Sequence, residues 1–195
     1  MLETTFGIIK PDAVEARHVG SIIHQIEHAG VMRYALTVEK MEQRRISRPE
    51  AELLYIEHKD RSFYADLIHF ITSGPAVLLA LGGDGAIAGW RKLMGATDSS
   101  KAAPGTIRCA FGSNDPSTMY RNCVHGSDSP EAASRELELF FGQPFFKAPV
   151  APGPVAEAMQ NVVRSAKRRG FVLAVEDPEA VRVYQERGEW AAELA

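Results

Sequence analysis

Residues 122–129 of the chain read Asn-Cys-Val-His-Gly-Ser-Asp-Ser. The pattern predicts a short strand that delivers His125 to a Gly-Ser turn. Ser129 as the N-cap, Pro130 as the first helical residue and Glu131 in the first turn then predict a helix. The amides and dipole of a helix N-terminus favour an arriving phosphate, and neutral imidazole is a nucleophile near pH 7. Although a lone histidine is more often a surface or core residue, this stretch favours phosphate chemistry at His125.

The rest of the chain alternates between strand and helix patterns. Residues 4–9 and 76–81 are apolar on both faces, as in central strands, whereas 32–39 alternate between apolar and polar. Helical patterns cover 19–29, 48–57, 62–72, 129–141 and a segment from Asp84, as the cap, to Met94. This order predicts an α+β fold, the ferredoxin-like split βαβ sandwich, in which helices pack on a four-stranded, mainly antiparallel sheet.

The composition changes after residue 142. We expect the main domain to span 1–142 and a Pro-rich linker to span 143–154. Residues 155–195 predict a helix-strand-helix extension. Because about 40 residues rarely support an independent core, we expect the extension to dock on the main domain or on a neighbouring subunit.

The bulk properties exclude several classes of protein. The chain has 195 residues, 45% of them hydrophobic, and a formal net charge of −3. No global basic field would recruit nucleic acid or a membrane, and no run is long and apolar enough to be a transmembrane helix. Because the first strand pattern begins by Thr4, we expect no targeting peptide. The two cysteines, Cys109 and Cys123, form no metal or redox motif and are typical of a cytoplasmic protein.

The glycine pattern of a P-loop is absent from the sequence, and so is the Rossmann fingerprint. If His125 carries phosphate chemistry without either loop, the phosphate must be neutralised by side chains and a metal ion. The candidates are cations and hydrogen-bond donors at element ends or in loops, where binding groups concentrate. They are Lys10, Arg91, Arg108, Tyr55, Thr97 and Asn122. Each of them alone is more often a solvated surface residue.

Several separate motifs resemble those of the nucleoside diphosphate kinase family between Thr4 and Gly142. They are KPD at 10–12, LYIEHKDRSFY at 54–64, GWRKLMGATD at 89–98, PGTIR at 104–108 and NCVHGSDS at 122–129. The resemblance implies that His125 is the phosphorylated nucleophile, supported by Ser127 and Glu136. It implies phosphate contacts from Lys10, Tyr55, Arg91, Thr97 and Arg108, a ribose contact from Asn122, and base contacts from Phe63 and Leu67.

The same resemblance implies ping-pong transfer of the γ-phosphoryl group between nucleoside triphosphates and diphosphates. Mg²⁺ would be held mainly by the nucleotide phosphates, with Asp128 nearby. A homo-oligomer is also implied, with a hexamer favoured over a tetramer or dimer.

The chain departs from the common family pattern at several positions. The stretch between Arg108 and His125 is longer, Cys109 and Ala110 stand where a glycine and an acidic residue are usual, and Ala13 replaces a glycine. The resemblance therefore does not place a third base contact. A protein-histidine phosphotransfer component, or a regulatory interaction module on the same fold, remains an alternative function.

Overall fold

The computed structural model describes residues 2–28, 36–113, 115 and 118–142. The predicted linker 143–154 and the predicted extension 155–195 lie outside these described residues. The account below concerns the described ranges alone.

The described core is a four-stranded sheet in the order β2-β3-β1-β4. The strands are β1 (Leu2–Ile9), β2 (Thr37–Arg45), β3 (Pro75–Asp84) and β4 (Val124–Gly126). Every neighbouring pair is antiparallel. The sheet and its helices confirm the predicted α+β, ferredoxin-like fold class.

Helices cover both faces of the sheet. They are α1 (Pro11–Glu15), α2 (Val19–His28), α3 (Arg48–Leu54), α4 (Tyr64–Thr72), α5 (Ala86–Met94), α6 (Ile107–Phe111) and α7 (Pro130–Phe141). Alternate strand residues point to opposite faces. Phe6 and Ile8 thus join a core with α3, α4 and α7, whereas Ile9 joins a second core with α1, α2, α5 and α6. Within the described ranges, no helix is long and apolar enough to cross a bilayer.

Three local predictions are corrected by the structure. Strand β2 begins at Thr37 and continues to Arg45, beyond the predicted end at residue 39, because an edge strand can carry polar side chains along most of its length. Residues 32–35 of the predicted strand lie outside the described residues. Asp84 ends β3 and does not cap α5; Gly85 is the N-cap at φ 66°. The backbone N–H of Ile87 instead donates to Glu3 Oε1 at 2.9 Å. The short helices α1 and α6 were not predicted.

Candidate active site

The pairing of β1 with β4 assembles the centre of the site. Lys10 follows the last residue of β1, and its backbone N–H donates to the carbonyl of Cys123 at 2.8 Å. Cys123 has φ 68°, a conformation that non-glycine residues seldom adopt. The carboxylate of Asp12 holds this strained residue by accepting its N–H at 3.1 Å. The strand and turn thus place Lys10 beside the segment that carries His125.

Glu136 orients the imidazole of His125. Nε2 of His125 lies 2.9 Å from Oε2 of Glu136, and the same oxygen accepts a hydrogen bond from Ser127 Oγ at 2.8 Å. Because a carboxylate only accepts, Nε2 carries the proton and the lone pair is on Nδ1. Nδ1 has no hydrogen-bond partner in the part of the chain that the structure describes. Nδ1 is therefore the ring nitrogen that the contact with Glu136 leaves open.

Lys10 is a buried cation at the centre of the site. Its Nζ donates to Asn122 Oδ1 at 2.7 Å and to the carbonyl of Tyr120 at 3.0 Å. Burial, followed by the nearby charge of Arg108, lowers the pKa of Lys10 to about 7. A phosphate that arrives beside Lys10 would favour its charged form and offset this destabilisation.

Arg108 is the second buried cation. Its Nη1 donates to the carbonyl of Gly95 and its Nη2 to that of Val124, both at 2.9 Å. Its Nε is buried and unpartnered among the described residues. Burial, with a contribution from nearby Arg91, lowers the pKa of Arg108 to about 10. Burial and mutual repulsion thus disfavour the charged forms of Lys10 and Arg108, and an anion bound in contact with them would favour these forms.

A cavity of about 710 Å³ opens beside these groups. Almost all of the site residues predicted from the sequence line it. They are Lys10, Tyr55, Phe63, Leu67, Arg91, Thr97, Arg108, Asn122, His125 and Asp128. Ser127 and Glu136 do not line the cavity; they lie buried behind the imidazole. The structure thus brings the predicted residues together at one place.

The cavity has a polar end and an apolar end. At the polar end, Asn122 accepts from Lys10 and donates through Nδ2 to the carbonyl of Thr97 at 2.8 Å. The ring of Tyr55 meets that of His125 edge-on, with centroids 5.8 Å apart. The Tyr55 hydroxyl is buried without a partner among the described residues, and burial raises its pKa. At the apolar end Leu67 is buried, whereas Phe63 is 42% exposed.

Sequence reasoning missed part of the apolar wall. The longer stretch after Arg108 closes on itself through a hydrogen bond from the Ser113 N–H to the Arg121 carbonyl, 3.1 Å long. This closure leaves Met119 and Tyr120 in the cavity wall, and the Met119 side chain is 48% exposed. The only sequence signal was an apolar residue shortly before Asn122, in a segment without periodicity.

The donor set around the cavity limits how a metal ion is held. Asp128 is the one carboxylate among the described lining residues, and no group of three or more His, Cys, Asp and Glu side chains in the described ranges is arranged to bind a metal. Mg²⁺ commonly takes one or two protein carboxylates and completes its shell with phosphate oxygens and water. The residues present therefore fit a magnesium ion that enters with a nucleotide.

Comparison with known proteins gives a consistent result. A family model described as "Nucleoside diphosphate kinase" matches residues 3–145. A nucleoside diphosphate kinase of Rubrobacter xylanophilus is 46% identical over 141 residues, which is 72% of this chain and 99% of the relative. One from Bdellovibrio bacteriovorus is 45% identical over 140 residues, or 72% of this chain and 93% of the relative.

Solved structures show the same similarity. A halophilic nucleoside diphosphate kinase from Halobacterium salinarum in complex with CDP has a TM-score of 0.66 and 39% identity, covering 73% of this chain and 90% of that one. The Aquifex aeolicus nucleoside diphosphate kinase has a TM-score of 0.63 and 33% identity, with 72% and 96% coverage.

Proposed function

Because the chain belongs to the nucleoside diphosphate kinase family, we propose that it moves the γ-phosphoryl group of a nucleoside triphosphate to a nucleoside diphosphate through a phosphohistidine at His125. The observation that carries the assignment is the geometry around His125. Glu136 occupies Nε2, Nδ1 is open, and three cations, Lys10, Arg91 and Arg108, line the same cavity.

Each half-reaction is an in-line displacement. The Nδ1 lone pair of His125 forms a bond to the γ-phosphorus, the bond to the bridging oxygen breaks, and the nucleoside diphosphate leaves with that oxygen. A second diphosphate then takes the phosphoryl group by the reverse displacement. Lys10, Arg91 and Arg108 neutralise charge on the phosphoryl oxygens, which is the main catalytic contribution in phosphoryl transfer.

Mg²⁺ is part of the proposal, held by the phosphates with Asp128 as the nearby carboxylate. When bound, it would neutralise phosphate charge during transfer. Asn122 contacts the ribose, while Tyr55 and Thr97 act with the cations as phosphate contacts. These roles come from the family resemblance and are supported by the position of each residue in the cavity wall.

We expect the nucleobase to stack on Phe63 and to pack on Leu67 and Met119. Since every base has a π-face, such a wall suits an enzyme that accepts all bases.

Phe63→Ala should weaken the binding of ADP, GDP, CDP and UDP together, by about 1–3 kcal/mol. Isothermal titration of the four diphosphates checks this. Leu53→Ala is the matched control, because Leu53 is 55% exposed and lies outside the cavity wall. Selective loss of a single base would instead indicate hydrogen-bond readout.

Glu136→Gln tests the orientation of the nucleophile. The amide keeps the shape of the side chain but removes the charge that fixes the protonated Nε2, so single-turnover phosphoryl transfer should slow by about 10²-fold. The dissociation constant for ADP should not change, because Glu136 lies outside the cavity wall. Glu131→Gln, an exposed position in the first turn of the same helix, is the control. Wild-type transfer by Glu136→Gln would reject the role.

The central experiment is a pulse and chase. Incubation with γ-labelled ATP should give an acid-labile adduct, and unlabelled GDP should discharge it to labelled GTP. A protein-histidine phosphotransfer component, the alternative function, would keep its label in the presence of nucleoside diphosphates and lose it only to a protein acceptor. Label retained after the GDP chase would therefore overturn the proposal.

The remaining parts of the proposal concern assembly and location. A homo-oligomer, with a hexamer favoured over a tetramer or dimer, rests on the family resemblance. It is supported by the outer edge of β2, which is unpaired among the described strands and carries Met41 with 55% exposure. Light scattering gives the subunit number.

A cytoplasmic location is supported by the two free cysteines.

A further inference from the structure

The indole of Trp90 lies against the strand that carries the nucleophile. Trp90 is on α5 and is 0% exposed. Its Nε1–H donates to the backbone carbonyl of His125 at 3.1 Å. A buried tryptophan N–H requires a partner, and here the partner is the carbonyl of the candidate catalytic residue.

Two glycines leave the space that the indole occupies. Gly7 of β1 and Gly126 of β4 are opposite each other in the strand register. A Cβ built on Gly126 would overlap Nε1 and Cδ1 of Trp90, and one built on Gly7 would come within 3.1 Å of Nε1. Neither glycine has a positive φ. Glycine is therefore required at these positions by the space for the ring and not by the backbone conformation.

Strand β4 needs such support because it is short and lies at the edge of the sheet. It has three residues and pairs with β1 alone among the described strands. Two consecutive backbone carbonyls of β4 accept hydrogen bonds from helix side chains. Arg108 donates to the carbonyl of Val124, and Trp90 donates to the carbonyl of His125. The imidazole is thus fixed at its ring by Glu136 and at its backbone by Trp90.

We infer that Trp90 is a positioning residue for phosphoryl transfer: its indole N–H holds the carbonyl of His125 and so sets where the imidazole stands relative to the phosphate-binding cations. This inference rests on the proposed role of His125. A displacement of about 1 Å between reacting groups is enough to slow a reaction by about 10²-fold. Trp90 contacts no substrate in this scheme and acts only through His125.

The test removes the donor and keeps the shape. Trp90 and Trp190 are the only tryptophans, so in a Trp190→Phe background replacement of tryptophan by β-(3-benzothienyl)alanine changes position 90 alone, with sulfur in place of N–H. Single-turnover formation of the phosphoenzyme from labelled ATP should slow by about 3- to 10-fold, the range expected for one lost hydrogen bond. The dissociation constant for ADP should not change, since Trp90 is outside the cavity wall.

Two genetic variants complete the test. Trp90→Phe, which also lacks the N–H, should show the same slow transfer with unchanged ADP binding. Ile26→Val, a fully buried position on α2, lowers core stability without removing a hydrogen bond to β4 and should transfer at the wild-type rate.

The outcomes separate the two claims. Transfer at the full background rate by the benzothienyl protein would overturn the inference and leave Trp90 as a core residue, while the proposed function stands. If Ile26→Val had the same melting temperature as Trp90→Phe and slowed transfer equally, the inference would be overturned as well, because lost core stability would explain the slowing. If the unmodified protein formed no phosphoenzyme, the proposed function would fail, and this inference with it.

Discussion

His125→Ala is expected to abolish the acid-labile phosphoenzyme and to lower nucleoside diphosphate kinase turnover by at least about 10⁴-fold, as loss of an enzymatic nucleophile does. The reason is positional. His125 lines the cavity together with Lys10 and Arg108, and Glu136 orients its imidazole so that Nδ1 is left without a hydrogen-bond partner among the described residues. The Tyr55 hydroxyl in the same wall is a poorer candidate, because burial raises its pKa.

Binding should survive the substitution. The phosphate and base contacts come from other side chains, so the dissociation constant for ADP should remain close to that of the wild type. His69→Ala is the matched control, since His69 is exposed on α4 and lies outside the cavity wall. Rapid-quench kinetics with labelled ATP measures transfer, and calorimetry measures binding.

Lys10 is a rival nucleophile, so a separate measurement must identify which residue carries the label. Because the pKa of Lys10 is about 7, part of its amine is neutral at physiological pH. Phospholysine and phosphohistidine are both acid-labile, so the modified residue must be located by peptide mass spectrometry under alkaline conditions. Label on Lys10, or turnover by His125→Ala near the wild-type level, would contradict the assignment of His125.

The positions of Lys10 and His125 in the fold were predictable because both residues lie at the ends of regular elements. Lys10 follows an apolar strand, and His125 lies on a short strand immediately before a well-marked helix start. Antiparallel pairing of β1 with β4 then brings these two chain segments together. The structure therefore places both residues in the wall of one cavity, while their roles remain part of the proposal.

Features that depend on tertiary packing were not predictable in this way. Trp90 lies in a segment that the sequence predicted to be helical, but no local pattern indicated its partner, the carbonyl of His125, 35 residues away. The indole can make this contact because Gly7 and Gly126 have no side chains to fill the space that it occupies. Met119 lies in an irregular segment, where no periodicity indicates which side chains face inward. The end of β2 was predicted at residue 39 instead of Arg45 because the periodicity rule assumes a buried face.

Lys10→Met should slow phosphoryl transfer by about 10²–10³-fold, the usual effect of removing one preorganised donor to transition-state charge. Methionine keeps most of the side-chain volume but has no charge to place on the phosphoryl oxygens. Lys59→Met is the control, because Lys59 is exposed and outside the cavity wall. Single-turnover transfer should fall in the first variant alone. A Lys10→Met protein with wild-type transfer would remove Lys10 from the proposed machinery.

The same substitution should change how stability depends on pH. In the folded protein the pKa of Lys10 is about 7, below the value of 10.5 for the free side chain. Between those values the unfolded chain binds more protons, so the cost of burying Lys10 is complete below pH 7 and disappears as the pH rises toward about 10.5. The melting temperature of nucleotide-free Lys10→Met, relative to wild type, should therefore be highest near pH 6.5 and should decline steadily as the pH is raised to about 10. Melting temperatures that differ by a constant amount across this range would mean that Lys10 keeps an ordinary pKa. Burial and the nearby charge of Arg108 would then not destabilise the charged form of Lys10, and this support for a polyphosphate ligand would be lost.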